Sequence, residues 1–267
     1  MTTPAISVQL YSCRDHLGDL DGTLARLAGI GLHHVEAFMF TSAPDQFRDA
    51  FARHGLTAPT GHAPFLSDEL RFGDTVFSLP PQEETFAAAR TLGLGRVIDP
   101  MTDADRWATL EGVQQLAGRL NAAAVRAADF GLGVGYHNHN HEIAARLKGV
   151  TALEVFADLL DDGIGLEVDA YWAGVGGEDV PALLGRLGER VTALHVKNGR
   201  LDHAGLSLEQ IVQQPQLPAG EGSLPMAEII GAAPSADVVV IEFDTYDGDV
   251  FEGIRASRDF LVGLGLS

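Results

Sequence analysis

Val238-Val239-Val240-Ile241-Glu242-Phe243-Asp244 is apolar almost without break up to its first acid. A stretch of that kind suits a strand sandwiched between a barrel interior and a layer of helices, with its polar end emerging at one mouth. It is also the last of eight. Working back along the chain, short apolar or β-branched stretches occur at Ile6 to Leu10, His33 to Phe38, Thr57 to His62, Arg96 to Asp99, Leu132 to His139, Ile164 to Val168 and Thr192 to Val196. Longer helical patterns separate them. Eight strands with intervening helices can close on themselves and leave no sheet edge unpaired, so the alternation predicts one (β/α)8 barrel spanning residues 1–267.

The helical patterns are legible at several points. Leu17, Leu20, Leu24 and Leu27 recur at near three- and four-residue spacing and give one apolar stripe, which Gly31 closes. Pro80-Pro81 followed by Glu83-Glu84 reads as a helix start after a long loop. From Ala104 to Phe130 the sequence predicts a long helix, with Leu110, Val113, Leu116, Leu120 and Ala124 on its recurring face. Gly199 to Ser223 is the longest weakly patterned stretch. Lying after the seventh strand, it is expected to form part of the functional face, as a lid over a ligand.

Bulk composition narrows the function classes. The chain has 267 residues, 46% of them apolar, and Cys13 is its one cysteine, which excludes an intramolecular disulfide and a thiolate zinc cluster. The formal charge of -19 opposes a phosphate backbone, so nucleic acid is not an expected partner. Met1-Thr2-Thr3-Pro4 opens without a basic region and apolar signal segment, and no apolar run approaches a membrane span. The expectation is a cytoplasmic protein without a membrane partner; a homo-oligomer is compatible with it.

Polar residues concentrate at the predicted strand ends. Tyr136-His137-Asn138-His139-Asn140-His141-Glu142 closes the fifth strand, and alternation lets His137 and His139 face the interior together. Glu142 follows where the chain can turn a carboxylate over the mouth. The sixth strand ends Glu167-Val168-Asp169, with Asp169 nearer the mouth and Glu167 deeper, where it could pair with Lys197. His195-Val196-Lys197 repeats the two-residue spacing on the seventh, and Glu242 ends the eighth, with Asp244 beyond it. Glu142, Asp169, His195 and Glu242 make an oxygen-rich set with one nitrogen. That set suits one divalent ion, Mn²⁺ foremost, with Mg²⁺, Co²⁺ or Zn²⁺ as alternatives. Glu36 and His62, ending strands two and three, place polar groups across the mouth.

These pieces, together with Gly31-Leu32-His33-His34-Val35-Glu36, strongly resemble the xylose isomerase-like TIM-barrel superfamily, in its sugar phosphate isomerase/epimerase group. The resemblance extends over nearly the whole chain. It implies a divalent ion held by Glu142, Asp169, His195 and Glu242, with His139 as the alternative occupant of the strand-five position. Gly220-Glu221-Gly222 is similar to that group's turn after strand seven. Unlike many ketose epimerases, the chain has Trp172 rather than a histidine three residues beyond Asp169, which favours a branch with an aromatic wall against the sugar.

The expected function is therefore metal-dependent isomerisation or epimerisation of a keto-sugar or related polyol derivative through an enediolate. Glu142 and Glu242 serve as the acid and base, and Lys197 steadies a substrate oxyanion. Glu36, His62, His137, His139, Trp172 and Lys197 are the expected substrate contacts. Loss of a β-substituent from the same enediolate would make a dehydratase or lyase. A noncatalytic carbohydrate-binding barrel is the alternative outside enzymology.

Overall fold

A computed structural model describes residues 3–72, 75–203 and 205–267. Eight parallel strands carry the architecture: β1 (Ala5–Val8), β2 (His34–Phe38), β3 (Thr57–His62), β4 (Arg96–Asp99), β5 (Gly133–His137), β6 (Gly165–Asp169), β7 (Val191–His195) and β8 (Val238–Ile241). They pair in sequence from β2 round to β8, β8 pairs with β1, and a parallel bridge between Gln9 and Glu36 draws β1 towards β2. The barrel expected from the strand count is the fold observed.

The principal helix after each strand supplies the outer layer: α1 (Leu20–Ile30), α2 (Pro44–Arg53), α3 (Gln82–Leu92), α4 (Leu110–Ala128), α5 (Ala152–Asp158), α6 (Val180–Leu187), α7 (Met226–Gly231) and α8 (Val250–Gly263). Among the described residues no helix is long and apolar enough to cross a membrane. Local chemistry sets the helix limits. Asp19 caps the start of α1 by accepting from the Gly22 N–H, and Gly31 ends it at φ +94°, where a Cβ would also meet the Arg258 guanidinium.

Three of the boundaries that differ from the sequence reading have a visible local cause. The first strand stops at Val8 rather than Leu10, because the Gln9 side chain accepts from the Tyr11 N–H and starts a 3₁₀ segment, Leu10–Asp19, that takes up Leu17. The long helix expected from Ala104 is split: Ala104–Trp107 is a 3₁₀ turn, and Thr109 caps the start of α4 through the Gly112 N–H. Strand five stops at His137, two residues short of His139, and the chain turns into the short helix His141–Ala144.

The loop expected between β3 and α3 carries a hairpin, Glu69–Phe72 paired antiparallel with Thr75–Ser78. After β7, the Gly199–Ser223 segment is closed at its base. Asn198 Nδ2 donates to the Ala219 and Leu224 carbonyls, and its Oδ1 accepts from the Leu224 N–H. Gly222, at φ +102°, fits against this clasp because a Cβ there would stand 2.6 Å from Asn198 Oδ1.

Candidate metal centre and active site

Strand register brings the site together. Asp169 lies beside His195, His195 beside Val240, and Glu167 beside His137, so inward side chains from four strands stack in two tiers. In the deeper tier, Glu167 Oε2 lies 2.5 Å from His62 Nε2, 3.0 Å from His195 Nε2 and 3.2 Å from His137 Nδ1. Glu36 closes that tier from β2. Its carboxylate accepts from Gln9 Nε2 and Thr60 Oγ1, both at 2.6 Å, and stands 2.8 Å from His195 Nε2.

The upper tier is built round the Lys197 ammonium, which donates to Glu242 Oε2 at 2.5 Å and Asp244 Oδ2 at 2.6 Å, and stands 2.9 Å from Asp169 Oδ2. His195 joins the tiers, with Nδ1 2.8 Å from Glu242 Oε2. Asp244 is steadied in turn by Gln216 Nε2 and the Trp172 indole N–H.

Burial and charge decide the protonation pattern. Burial alone would drive protons off His195 and Lys197, but their flanking carboxylates outweigh it and hold both well above their ordinary values. Burial would raise Glu242, yet Lys197 and His195 keep it well below the usual carboxylate range. Asp169 is pushed up to about 6 by burial, despite Lys197 beside it. His137 is held well below the ordinary imidazole value, by burial first and by the charge on His195 second.

The donor set fits a divalent ion. One donor atom each from His137, Asp169, His195 and Glu242 lies within 4.8 Å of the others. Donors bound at about 2.0–2.3 Å to a common centre span no more than about 4.6 Å, so the spacing is close to a coordination shell. Asp169 Oδ2 is buried and makes no well-angled hydrogen bond, although the ammonium is near it. The five carboxylates of Glu36, Glu167, Asp169, Glu242 and Asp244 also outnumber the cationic groups among them, a shortfall that a dication would correct. A second set, His62, His137, Glu167 and His195, has similar spacing but lies in the deeper tier.

The expected site residues do not all converge. Glu142 is turned to the outer side of β5. Its carboxylate accepts from the Tyr136 hydroxyl at 2.7 Å and the His139 N–H at 2.9 Å, and it belongs to neither donor set. Tyr136 points opposite to His137 and packs against Trp107 and Phe156, so the strand's own alternation draws Glu142 towards the helix layer.

A cavity of about 500 Å³ opens over the upper tier. His62, His137, His139 and Glu242 reach its wall, whereas Glu36, Trp172 and Lys197 stand behind the wall. Glu36 is the third residue of a strand that continues to Phe38, and it is fully buried. Glu167 pairs with histidines and not with Lys197. Three contributors escaped the sequence reading: Gln9, Asp99 and Gln216. Asp99 Oδ2 accepts from the Phe65 and Leu66 N–H groups and Oδ1 from that of Met101, fixing two mouth loops. Gln9 and Asp99, polar residues at the ends of apolar strands, carried a signal of the kind that marked the other site residues.

A family model described as xylose isomerase-like TIM barrel matches residues 24–262. The chain belongs to that family. A search of curated proteins finds no match. Among solved structures, a sugar phosphate isomerase/epimerase from Parabacteroides distasonis is 18% identical, with a TM-score of 0.75 over 98% of this chain and 94% of that one. A probable 3-DHS dehydratase, AsbF, from Bacillus anthracis is 13% identical, with a TM-score of 0.72 over 97% and 98%. The IolI protein, solved with a zinc atom, is 14% identical, with a TM-score of 0.71 over 97% of each chain. At these identities the likeness shows the shared fold. Within this xylose isomerase-like barrel, the ion-binding geometry rests on the chain's own residues.

Proposed function

We propose that the protein is a divalent-metal-dependent isomerase or epimerase of a keto-sugar or related polyol derivative. The observation that carries this reading is the convergence of His137, Asp169, His195 and Glu242 beneath an open cavity. Those four residues hold the ion, with His137 in the strand-five place, and Mn²⁺ suits their mixed nitrogen and oxygen donors. When bound, the ion supplies Lewis-acid stabilisation of negative charge on the substrate's oxygens.

The chain's own groups supply proton transfer and orientation. His139 is the wall residue placed to accept a proton, because burial favours its neutral form and its Nδ1 has no hydrogen-bond partner. Glu242, ionised and facing the cavity from β8, is the second member of the pair. Glu142 holds the His139 backbone and thereby positions the imidazole. Lys197 keeps Glu242 and Asp169 in place, and His62 offers a ring nitrogen to a substrate oxygen. A proton returned to the same carbon gives epimerisation; returned to the neighbouring carbon, isomerisation.

The test follows solvent deuterium by NMR, using Mn²⁺-loaded protein and a panel of ketoses in D₂O. Exchange at a carbon next to a carbonyl is expected, and His139→Ala should slow it. Turnover of a panel member without deuterium incorporation would overturn the enediolate.

A further inference from the structure

The wall of the cavity is divided. It is polar where the ends of β3, β5 and β8 meet it, with His62, His137, His139, Glu242 and Asp244; the remainder is almost wholly apolar. That apolar part comes from the end of β2 and the mouth segments after β1 to β4, including Tyr11, Phe38, Met39, Pro64, Leu70 and Met101. A ketose can lay a C–H face on part of such a wall, but its hydroxyls would find few partners there, the side-chain hydroxyls of the lining being those of Tyr11, Thr41 and Thr85. A volume of about 500 Å³ is also in the range that encloses drug-sized ligands.

The electrostatics exclude the usual charged handle. Among the described residues no lysine or arginine lines this cavity. Lys197 is buried behind it and already faces three carboxylates. Arg14, whose guanidinium lies 4.3 Å from the Tyr11 ring centre, binds the Asp244 carbonyl and lines a separate cavity. Away from the ion-binding tier, a phosphate on the substrate would find no side-chain ammonium or guanidinium on this wall to receive it.

We infer that the substrate carries an uncharged aromatic substituent, seated between the Tyr11/Phe38 pair and the Met39 and Met101 side chains, with its sugar part over the metal-ligand tier. Tyr11 and Phe38 meet edge to face at 5.1 Å and 78°, an arrangement that extends readily to a third ring. Two thioethers and the ring of Pro64 supply flat, polarisable surface suited to an arene. Met39 is 65% exposed at the mouth and holds φ +56°, a backbone conformation that a side chain of its size adopts rarely. Phe38 and Met39 thus end β2 on a turn that sets both at the rim.

This inference rests on the enediolate reading for the position of the sugar, and the experiment separates the two. Binding of D-fructose, its 6-phosphate and its 6-O-benzyl ether to Mn²⁺-loaded protein is measured by calorimetry, and deuterium exchange is followed on the same samples. The benzyl ether should bind roughly tenfold tighter than the parent ketose, and the phosphate more weakly than the parent. Met101→Ser, checked for fold by circular dichroism, should narrow the benzyl preference. Equal affinities, no binding by any of the three, or a phosphate that binds as tightly as the ether would overturn the inference. A benzyl preference without deuterium exchange would sustain the aromatic subsite and count against the enediolate.

Discussion

Replacing Lys197 with Met tests whether the ammonium and the metal share carboxylates. Lys197 is fully buried and faces Glu242 at 2.5 Å, Asp244 at 2.6 Å and Asp169 at 2.9 Å. Removing one partner from a buried ionic cluster costs about 3–5 kcal/mol, because the charges left behind are unpaired. For a chain of this size each kcal/mol moves the melting temperature by about 2–4 °C, so metal-free Lys197→Met should melt about 10 °C lower than wild type. The loss should be larger at pH 8 than at pH 6, since Asp169, with its pKa pushed up to about 6, can relieve part of the repulsion by taking a proton.

Mn²⁺ should reverse most of that loss. On the proposed ligation the ion would engage Asp169 and Glu242 and leave only Asp244, which still accepts from Gln216 and Trp172. Binding that stabilises the folded state by about 4 kcal/mol at a thousandfold excess over Kd is enough to do so. Thermal unfolding in EDTA and in Mn²⁺, for both proteins, gives the four values required. An equal decrement with and without metal would refute the shared-carboxylate geometry.

Metal content discriminates the strand-five ligand. Loss of a partner one shell outside a metal weakens binding by about 10–100-fold, so loss of a direct ligand in Asp169→Ala or His137→Ala should weaken Mn²⁺ binding by about 10²-fold or more. Glu142→Gln should change it by less than about tenfold, as measured by elemental analysis after dialysis. Asp99 governs a separate pH effect. Burial raises its pKa from 3.8 to about 6, so the folded state holds an extra proton in that window and stability falls by about 3 kcal/mol as pH rises through it. Asp99→Asn should remove that slope from the difference between the two urea titrations. Parallel pH profiles would mean that Asp99 is ionised throughout.

How much was legible follows from what each signal depends on. Period-two alternation and apolar strand cores are local, so all eight strands, and the inward direction of Asp169, His195 and Glu242, could be read from neighbouring residues. Strand ends were read less well. They depend on which side chain intercepts the backbone, as Gln9 does at Tyr11 and Thr109 at Gly112.

The sequence by itself determined the closed barrel and the accumulation of acids and imidazoles at one end of strands five to eight, because both arise from patterns a few residues long. Tertiary structure alone decided that His137 joins the donor set while Glu142 turns to Tyr136, since that choice depends on aromatic packing outside the barrel. It also assembled the apolar wall, whose residues from Tyr11 to Met101 come from the mouth ends of four separate strand–helix units. No local period links them; closure of the sheet brings them together, and their common surface exists only once the barrel has formed.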